Sequence, residues 1–510
     1  MVTFAISKKP EAEMKKQTRR QFIKTVAAGI PLAAAGSRPL AARRPARRPN
    51  IVYVFADQMR AHALGCYGNE IVPTPNFNAM ATAGTAFDNA VSIWPVCSPY
   101  RAMLLTGRYP MANGTVANDT GVRDDLPTIA KVCKAQGYAT GYIGKWHLEW
   151  QRTPFVPKER RQGFDYWAVN NCTHRYMDHF YCTDTPEKIR FKGYDALVQT
   201  DLAIDYIQKN KDRPFCLFLS WGPPHNPYNL LPDEYRERIP LDKIELRANV
   251  AERTVVDHLL ARDKPSERLK KSRKAQRAIL ESDERLKKQN IQGYYAHTAA
   301  LDDCIGKIRE VLRQTGIAKD TILVFASDHG DMLGCHRMAL KQMPFEESIN
   351  VPFLVEYPRA VPAGKRSDAL LTPVDVMPTL LSLAGLKCPK VDGKDFSDAA
   401  RGVASDQRDA VLLMKLLPGG GPYIINAVTP WRGVRTKRYT YANLFDHGPW
   451  LLYDNQEDPY QLNNLIDKPA YAALQAELEK RMRELMAEAG DPGDTDQITT
   501  YRESRRPTST

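Results

Sequence analysis

The sequence lacks an apolar run long enough to cross a membrane as a helix. Its best candidate, residues 25–35 near the N-terminus, spans only eleven residues, whereas a transmembrane helix needs about 20. No cysteine follows this run, so lipoprotein anchoring is not indicated, and no internal repeat is present. We therefore expect no integral membrane segment in the mature chain.

The sequence also has little net charge outside its first residues. Residues 1–48 contain twelve Lys and Arg but only two Glu, and so carry +10 of the chain's formal +13. The remainder, with 60 basic and 57 acidic residues, lacks the basic excess typical of nucleic-acid-binding proteins. A chain of 510 residues, 43% hydrophobic and 26% charged, is expected to be soluble and globular, with two or three domains.

The basic N-terminus is organised like an export signal. The segment TRRQFIK at residues 18–24 precedes the apolar run, which ends in small residues. That order is typical of a secretory signal, and the paired arginines resemble a twin-arginine signal. We predict that residues 1–42 are a signal peptide and leader, and that the protein is periplasmic or secreted.

The nine cysteines give little evidence for a disulfide framework. Cys172 and Cys182 are the only close pair, and a disulfide between them is possible because the intervening stretch is loop-like. The same stretch contains His174 and His179, but its spacing fits no standard zinc pattern. Zinc binding is therefore the less favoured interpretation.

From residue 50 onward, segments typical of strands alternate with segments typical of helices. Residues 50–57, 214–222 and 321–328 contain continuous apolar runs of strand length, as expected for strands buried on both faces. The alternation predicts an α/β domain at 49–405 with a large, mostly parallel sheet flanked by helices. Shorter strands and an amphipathic helix predict a small α+β domain at 406–490, followed by a polar, disordered tail at 491–510.

One charged insertion, residues 242–288, interrupts this alternation. It is predicted to be helical, and its bases are concentrated at Lys270, Lys271, Arg273, Lys274 and Arg277. A charged helix is usually a solvated face, which is the favoured interpretation. The alternative is a rim that attracts an anionic polymer.

The strongest functional signal is the segment CSPYR at residues 97–101, followed by LTGR at residues 105–108. Together these segments resemble the signature of the sulfatase family. A buried thiol beside a helix start is the alternative, but the second segment disfavours it. Pro99 suits the first turn of a helix, which would place Cys97 at a helix N-terminus favourable to anions. The resemblance implies that a maturation enzyme oxidises Cys97 to formylglycine.

Further segments resemble sulfatase motifs in the family's order. They are Asp57-Gln58, GYATGYIGKWH at 137–147, PPHNPY at 223–228, DHGDMLGCHRMALK at 328–341 and LYDNQEDPYQLNNL at 452–465. The resemblance covers residues 50–465 and implies an alkaline-phosphatase-like fold with a small C-terminal domain. It implies catalytic roles for Cys97, Arg101, Lys145, His147, His225 and Lys341.

These roles match what a sulfate ester requires: a strong nucleophile, cations for the non-bridging oxygens and an acid for the leaving oxygen. In the family, one hydroxyl of the hydrated formylglycine attacks sulfur, and the other then ejects sulfate and restores the aldehyde. By resemblance, Lys145 and Lys341 bind sulfate oxygens. His147 contacts the hydrated aldehyde, and Arg101 orients residue 97. His225 is the candidate acid, because its pKa range suits proton transfer.

A metal site is predicted where two strands end. Asp57-Gln58 and Asp328-His329 each follow an apolar strand, and the carboxyl ends of parallel strands meet at one edge of a sheet. Together with residue 97, these oxygen-rich side chains suit Ca²⁺. Gln58 departs from the family's usual Asp and also occurs in relatives that cleave phosphonate or phosphate esters. Glu149 stands where the family usually has Gly.

The favoured substrate is a sulfated carbohydrate, because exported bacterial relatives commonly act on sulfated glycans. Predicted substrate contacts are His174, Arg175, Asp178 and His336. One alternative is a phosphonate monoester or phosphodiester hydrolase, which Gln58 motivates. The other is an inactive calcium-bound glycan-binding protein, which the complete set of catalytic residues disfavours.

Overall fold

The structure is a computed structural model that describes residues 48–150, 153–250, 284–403, 408–418, 430–445 and 447–506. The predicted signal and leader at 1–42 and the base cluster at 270–277 lie outside the described residues. Within the described ranges, no helix combines the length and the apolar character that crossing a membrane requires.

The strands follow one another along the chain as two sheets and a short hairpin. In order they are β1 (Asn50–Asp57), β2 (Thr85–Ala90), β3 (Ala139–Lys145), β4 (Tyr166–Asn170), β5 (Phe180–Tyr181), β6 (Ile189–Arg190), β7 (Phe215–Pro224), β8 (Thr321–Ser327), β9 (Phe353–Glu356), β10 (Lys365–Leu371), β11 (Ala410–Lys415), β12 (Trp431–Thr436), β13 (Tyr439–Leu444) and β14 (Gly448–Asp454). The hairpin pairs β5 with β6.

The described helices are, in order, α1 (Pro75–Ala83), α2 (Cys97–Thr106), α3 (Pro110–Asn113), α4 (Ile129–Ala135), α5 (Asp195–Asn210), α6 (Asp233–Glu237), α7 (Glu284–Gln314), α8 (Glu346–Ile349), α9 (Pro373–Leu383), α10 (Ser397–Ala400), α11 (Ala472–Glu488) and α12 (Thr495–Ser504). α7 begins within the predicted charged insertion.

The larger sheet has eight strands in the spatial order β10-β2-β9-β8-β1-β7-β3-β4. Neighbouring strands in this sheet are parallel, except that β9 runs antiparallel to both β2 and β8. At its centre β1 lies between β7 and β8, and Tyr53 is in register with Phe218 and Val324. Every residue of β1 is buried, because apolar side chains cover both faces of the sheet. The predicted α/β fold with a mostly parallel sheet is confirmed.

The smaller sheet, β11-β12-β13-β14, is antiparallel throughout. Helix α11 contributes Leu478, Met482 and Leu485 to the apolar core that includes β11 and β12. Their spacing of three and four residues puts them on one face of the helix. This arrangement confirms the small C-terminal α+β domain.

The prediction of a disordered tail from residue 491 is wrong for the helix α12. Asp494 caps this helix by accepting hydrogen bonds from the backbone N–H groups of Asp496 and Gln497, which satisfies two donors that a helix start otherwise leaves free. Ile498 is fully buried, and the Tyr501 hydroxyl donates to the Met111 carbonyl at 2.9 Å. A cap, one apolar anchor and one long-range hydrogen bond therefore hold a segment whose overall composition is polar.

Candidate active site

The ends of the central strands bring Asp57 and Asp328 together. β1 and β8 are parallel and in register up to Ala56 and Ser327, so both carboxylates leave the sheet at the same edge. Arg101 links them, because its Nη2 donates to Asp57 Oδ2 at 3.1 Å and to Asp328 Oδ2 at 3.0 Å. Its Nη1 donates to the carbonyl of Lys145 and to the hydroxyl of Ser220, each at 2.7 Å. Arg101 thus connects α2 with four strands of the sheet.

Replacing Arg101 by lysine is expected to lower the free energy of unfolding by about 3 kcal/mol, because an ammonium cannot serve two carboxylates, a carbonyl and a hydroxyl at once. Urea denaturation of Arg101→Lys and wild type measures the difference. Arg108→Lys is the matched control, since Arg108 pairs with Asp392 where both side chains are about a quarter exposed. Equal losses in the two variants would contradict the linking role of Arg101.

Cys97 is the first residue of α2 and is buried. Its Sγ lies 3.3 Å from His329 Nε2, 3.7 Å from Asp57 Oδ1 and 3.8 Å from Lys145 Nζ. Lys145 in turn donates to Asp57 Oδ2 at 2.6 Å. Burial and the Asp57 carboxylate oppose ionisation of the thiol. Lys145, Lys341 and His329 outweigh them and hold the pKa of Cys97 well below its usual range.

The donor set around Cys97 fits a bound cation. Oxygen, nitrogen and sulfur atoms of Asp57, Asp328, His329 and Cys97 all lie within 4.8 Å of one another. Arg101 occupies the Oδ2 atoms of both carboxylates, which leaves their Oδ1 atoms on the side of His329 Nε2. His329 donates through Nδ1 to the Gly330 carbonyl at 3.0 Å, so its Nε2 can present a lone pair to a metal. Two carboxylate oxygens suit a hard divalent ion.

Gln58 lies beside this cluster in a left-handed backbone conformation, with φ of 71°. Its Nε2 donates to Asp331 Oδ2 at 2.6 Å, and its Oε1 accepts a hydrogen bond from Lys341 Nζ. The Gln58 backbone N–H donates to Asp328 Oδ1 at 3.0 Å. The side-chain oxygen therefore contacts the active-site lysine, and its ligation of a metal stays a prediction.

His147 lies in the loop that follows β3. Its backbone N–H donates to the Asn171 carbonyl at 2.6 Å, and its Nε2 is 3.1 Å from Asp119 Oδ1. Cys172 and Cys97 interact electrostatically with the same ring. Burial opposes the imidazolium, but Cys172, Asp119 and Cys97 raise the pKa of His147 well above its usual range. His147 in turn acts on Cys172. Burial raises the pKa of the Cys172 thiol, but His147 and Lys145 outweigh burial and lower this pKa to about 7.

His225 and Lys341 form a buried pair. Lys341 Nζ lies 2.7 Å from His225 Nε2, and His225 donates through Nδ1 to the Asn226 carbonyl at 2.8 Å. Burial, followed by the Lys341 charge, holds the pKa of His225 well below its usual range. The His174 ring stacks on the His225 ring, with centroids 4.2 Å apart and an interplanar angle of 12°. The predicted substrate contact His174 thus touches the candidate acid.

The structure does not bring the other predicted substrate contacts into this cluster. Arg175 is exposed, and Asp178 is exposed and accepts a hydrogen bond from the Gly193 backbone at 2.7 Å. His336 is fully buried, stacks on Phe345 and lies 3.1 Å from Asn249 Nδ2. A direct contact between His336 and substrate is therefore not supported.

Several site residues were missed by reasoning from the sequence. Cys172 was considered for a disulfide or zinc, but Cys172 and Cys182 are both free, and the described residues around them form no metal cluster. Asp331 accepts hydrogen bonds from Gln58 and Tyr228 and from the backbone N–H of Leu340. Asp331 lies three residues after Asp328, and that position was the only available signal. Asp119 has no motif around it.

Glu149 is buried and pairs with Arg160, with Oε2 3.0 Å from Nε. Burial raises the pKa of Glu149 to about 7 although Arg160 opposes the shift. The residue that replaces the family's usual Gly is thus accommodated by a local ion pair.

Known families and proteins match nearly all of the described chain. The sulfatase family pattern matches residues 49–386, and the pattern of the N-sulphoglucosamine sulphohydrolase C-terminal region matches residues 334–488. An ulvan-active sulfatase from Formosa agariphila is 36% identical over 452 residues, which cover 87% of this chain and 82% of that protein.

Solved structures agree with the sequence matches. One was determined in complex with its substrate D-glucosamine-2-N,6-O-disulfate. It has a TM-score of 0.75 and 27% identity and covers 88% of this chain and 100% of its own. A phosphonate monoester hydrolase of Agrobacterium radiobacter has a TM-score of 0.69 and 21% identity, with 87% and 96% covered. At that identity the second likeness concerns the fold alone.

Proposed function

The chain belongs to the sulfatase family and is a sulfuric ester hydrolase, and we propose from this that it removes sulfate from carbohydrates through a formylglycine at position 97. The relatives support the substrate class, because one is named as ulvan-active and one was solved with a sulfated glucosamine. We further propose that the protein is exported by the predicted twin-arginine signal and matured by a formylglycine-generating enzyme.

One observation carries the proposal: Cys97 starts a buried helix, and its Sγ lies within 4 Å of both Lys145 Nζ and His329 Nε2. The thiol stands where formylglycine would supply the hydrated aldehyde that attacks sulfur. Lys145 and the N-terminus of α2 provide positive charge beside it. Preorganised cations of this kind stabilise the charge on the non-bridging oxygens of a sulfate ester as it reacts.

In this proposal, His225 protonates the leaving oxygen and Lys341 binds a sulfate oxygen. His225 Nδ1 donates to a carbonyl, so its Nε2 accepts the hydrogen bond from the Lys341 ammonium. An anionic ester bound beside this pair favours its protonated form. The proton shared between Nε2 and Nζ is then available to the oxygen of the departing alcohol.

The direct test is a screen for desulfation across defined sulfated saccharides with the matured protein, alongside sulfate and phosphonate monoesters of one alcohol. We expect release of sulfate from at least one saccharide and a higher kcat/KM for the sulfate monoester than for the phosphonate. A higher kcat/KM for the phosphonate would instead favour the hydrolase activity that Gln58 motivates. Absence of any saccharide turnover would contradict the carbohydrate assignment.

We propose Ca²⁺ as the cation held by Asp57, Asp328, His329 and residue 97, where it would polarise the sulfate and the nucleophile. Removing it with a chelator is expected to lower Tm by about 3 °C relative to protein in calcium at 100 times its Kd. The reason is that calcium binds the folded state, where the two carboxylates converge.

Thermal denaturation with chelator and with added calcium measures this shift. Asp328→Asn should lose most of the calcium-dependent shift, whereas Asp392→Asn, which alters a carboxylate paired with Arg108, should keep it. Equal Tm values for the wild type in chelator and in calcium would contradict calcium binding.

A further inference from the structure

A cavity of about 700 Å³ opens next to the candidate acid. Its walls include Asn226 and Tyr228 from the segment after β7, Gln289 and Asn290 from α7, Arg236 from α6 and Leu340. We call it the α7 cavity. Its size is that of a pocket for a small ligand rather than a water-filled defect.

Two segments that line the α7 cavity also carry catalytic candidates as the neighbouring residues in the chain. Asn226 directly follows His225 and accepts a hydrogen bond from its ring. Leu340 directly precedes Lys341, and its backbone N–H is held by Asp331. The Tyr228 hydroxyl donates to the same carboxylate at 2.5 Å. The backbone that carries His225 and Lys341 therefore also forms part of the lining of this cavity.

The third wall, α7, is fixed close to the reaction centre. At Gly293 a Cβ would come within 2.0 Å of the Tyr228 carbonyl oxygen, so the helix can approach this backbone because the residue is glycine. In the next position the Tyr294 hydroxyl donates to the Gln58 carbonyl at 2.7 Å. The cavity is thus held by the same contacts that position the loop after β1.

The lining chemistry is that of a sugar site with one positive charge. Amide side chains from Asn226, Gln289 and Asn290 offer both donors and acceptors to hydroxyl groups, and Tyr228 adds an aromatic ring. Among the described residues that line the cavity, Arg236 is the only charged one. Its Nη2 donates to the Tyr228 carbonyl at 3.5 Å, a long hydrogen bond that leaves the guanidinium able to bind an anion.

We propose that the α7 cavity binds the sugar next to the one whose sulfate is cleaved, and that Arg236 binds an anionic group on this neighbouring sugar. The inference rests on the proposed carbohydrate sulfatase function and narrows its substrate to anionic oligosaccharides. A carboxylate and a second sulfate share the chemistry that Arg236 recognises, because a guanidinium binds either one through paired hydrogen bonds.

The test compares four substrates: 4-nitrophenyl sulfate and three disaccharides that carry the same sulfated sugar. The neighbouring sugar is neutral in the first disaccharide, carries a carboxylate in the second and carries a second sulfate in the third. For the preferred charged disaccharide, Arg236→Gln should lower kcat/KM by about 10- to 100-fold, mainly through KM, because one charge-assisted contact is lost. The neutral disaccharide and 4-nitrophenyl sulfate should change less than about twofold, and Arg236→Lys should retain part of the preference.

Arg238→Gln is the matched control, because Arg238 follows the same helix but pairs with Asp303 at 2.9 Å and does not line the cavity. Equal loss on all four substrates, or no loss on either charged disaccharide, would overturn the inference while leaving the sulfatase proposal intact. Cleavage of 4-nitrophenyl sulfate without cleavage of any disaccharide would overturn both the inference and the carbohydrate assignment.

Discussion

Replacing Cys97 by alanine is expected to lower kcat/KM for sulfate ester hydrolysis by at least about 10⁴-fold, the scale seen when a covalent nucleophile is removed from an enzyme. Alanine cannot be oxidised to formylglycine, so the site would lose its nucleophile. The surrounding charges would persist, because Lys145 still pairs with Asp57, and Arg101 still links Asp57 and Asp328. Substrate binding should therefore survive better than turnover.

The measurement is sulfate release by Cys97→Ala and wild type, with peptide mass spectrometry across residue 97 of the wild type. Cys388→Ala is the control, because Cys388 is a half-buried free thiol that packs against the apolar core rather than the site. Its activity should remain within about twofold of wild type. Fully active wild type that carries only an unmodified thiol at residue 97 would refute the formylglycine proposal, and wild-type activity in Cys97→Ala would refute the nucleophile.

The parts of the site that follow apolar strands could be predicted from the sequence. β1 and β8 are buried on both faces, so their apolar runs were unmistakable, and the polar residues after them marked the strand ends. Two parallel strands in register necessarily bring their next residues together, which is what Asp57 and Asp328 show. The helix start at Cys97 was likewise encoded locally, because proline is favoured in the first turn of a helix and Pro99 lies there.

The parts contributed by loops could not be predicted in the same way. Asp119 contacts His147, and Cys172 interacts electrostatically with the same ring, through loop conformations that no periodicity encodes. His336 was predicted to contact substrate because it lies in the loop that carries Lys341. Its ring instead stacks on Phe345 in the interior. Proximity in sequence to a site residue does not determine where a side chain points when the intervening backbone reverses direction.

Helix α12 shows why composition alone is a poor predictor of order: the composition of a segment is an average that hides single stabilising contacts. The tail from residue 491 is polar as a whole, and its order depends on single contacts of Asp494, Ile498 and Tyr501. A cap of this kind stabilises a helix by about 1 kcal/mol, and burying one Ile adds about 2 kcal/mol. Such small local contributions decide whether a short polar helix forms, and an average over 20 residues does not detect them.

Replacing His225 by glutamine should slow hydrolysis in proportion to how poor the leaving group is. We expect a loss of about 10²- to 10³-fold in kcat/KM for a carbohydrate sulfate and less than about tenfold for 4-nitrophenyl sulfate, because proton donation matters most when the departing oxygen is strongly basic. A sugar alkoxide is far more basic than 4-nitrophenolate. Glutamine can still accept a hydrogen bond from Lys341 but cannot transfer a proton.

The comparison isolates proton transfer from sulfate binding because Lys145 and Lys341 are unchanged in the variant. Both substrates present the same sulfate group, so a defect in binding that group would reduce kcat/KM equally for the two. His62→Gln is the control, since His62 lines a separate cavity with Arg247 and Arg435 and should affect neither substrate. Equal losses on the two substrates in His225→Gln would show that His225 positions Lys341 or the sulfate, and would transfer the role of acid to another group of the site.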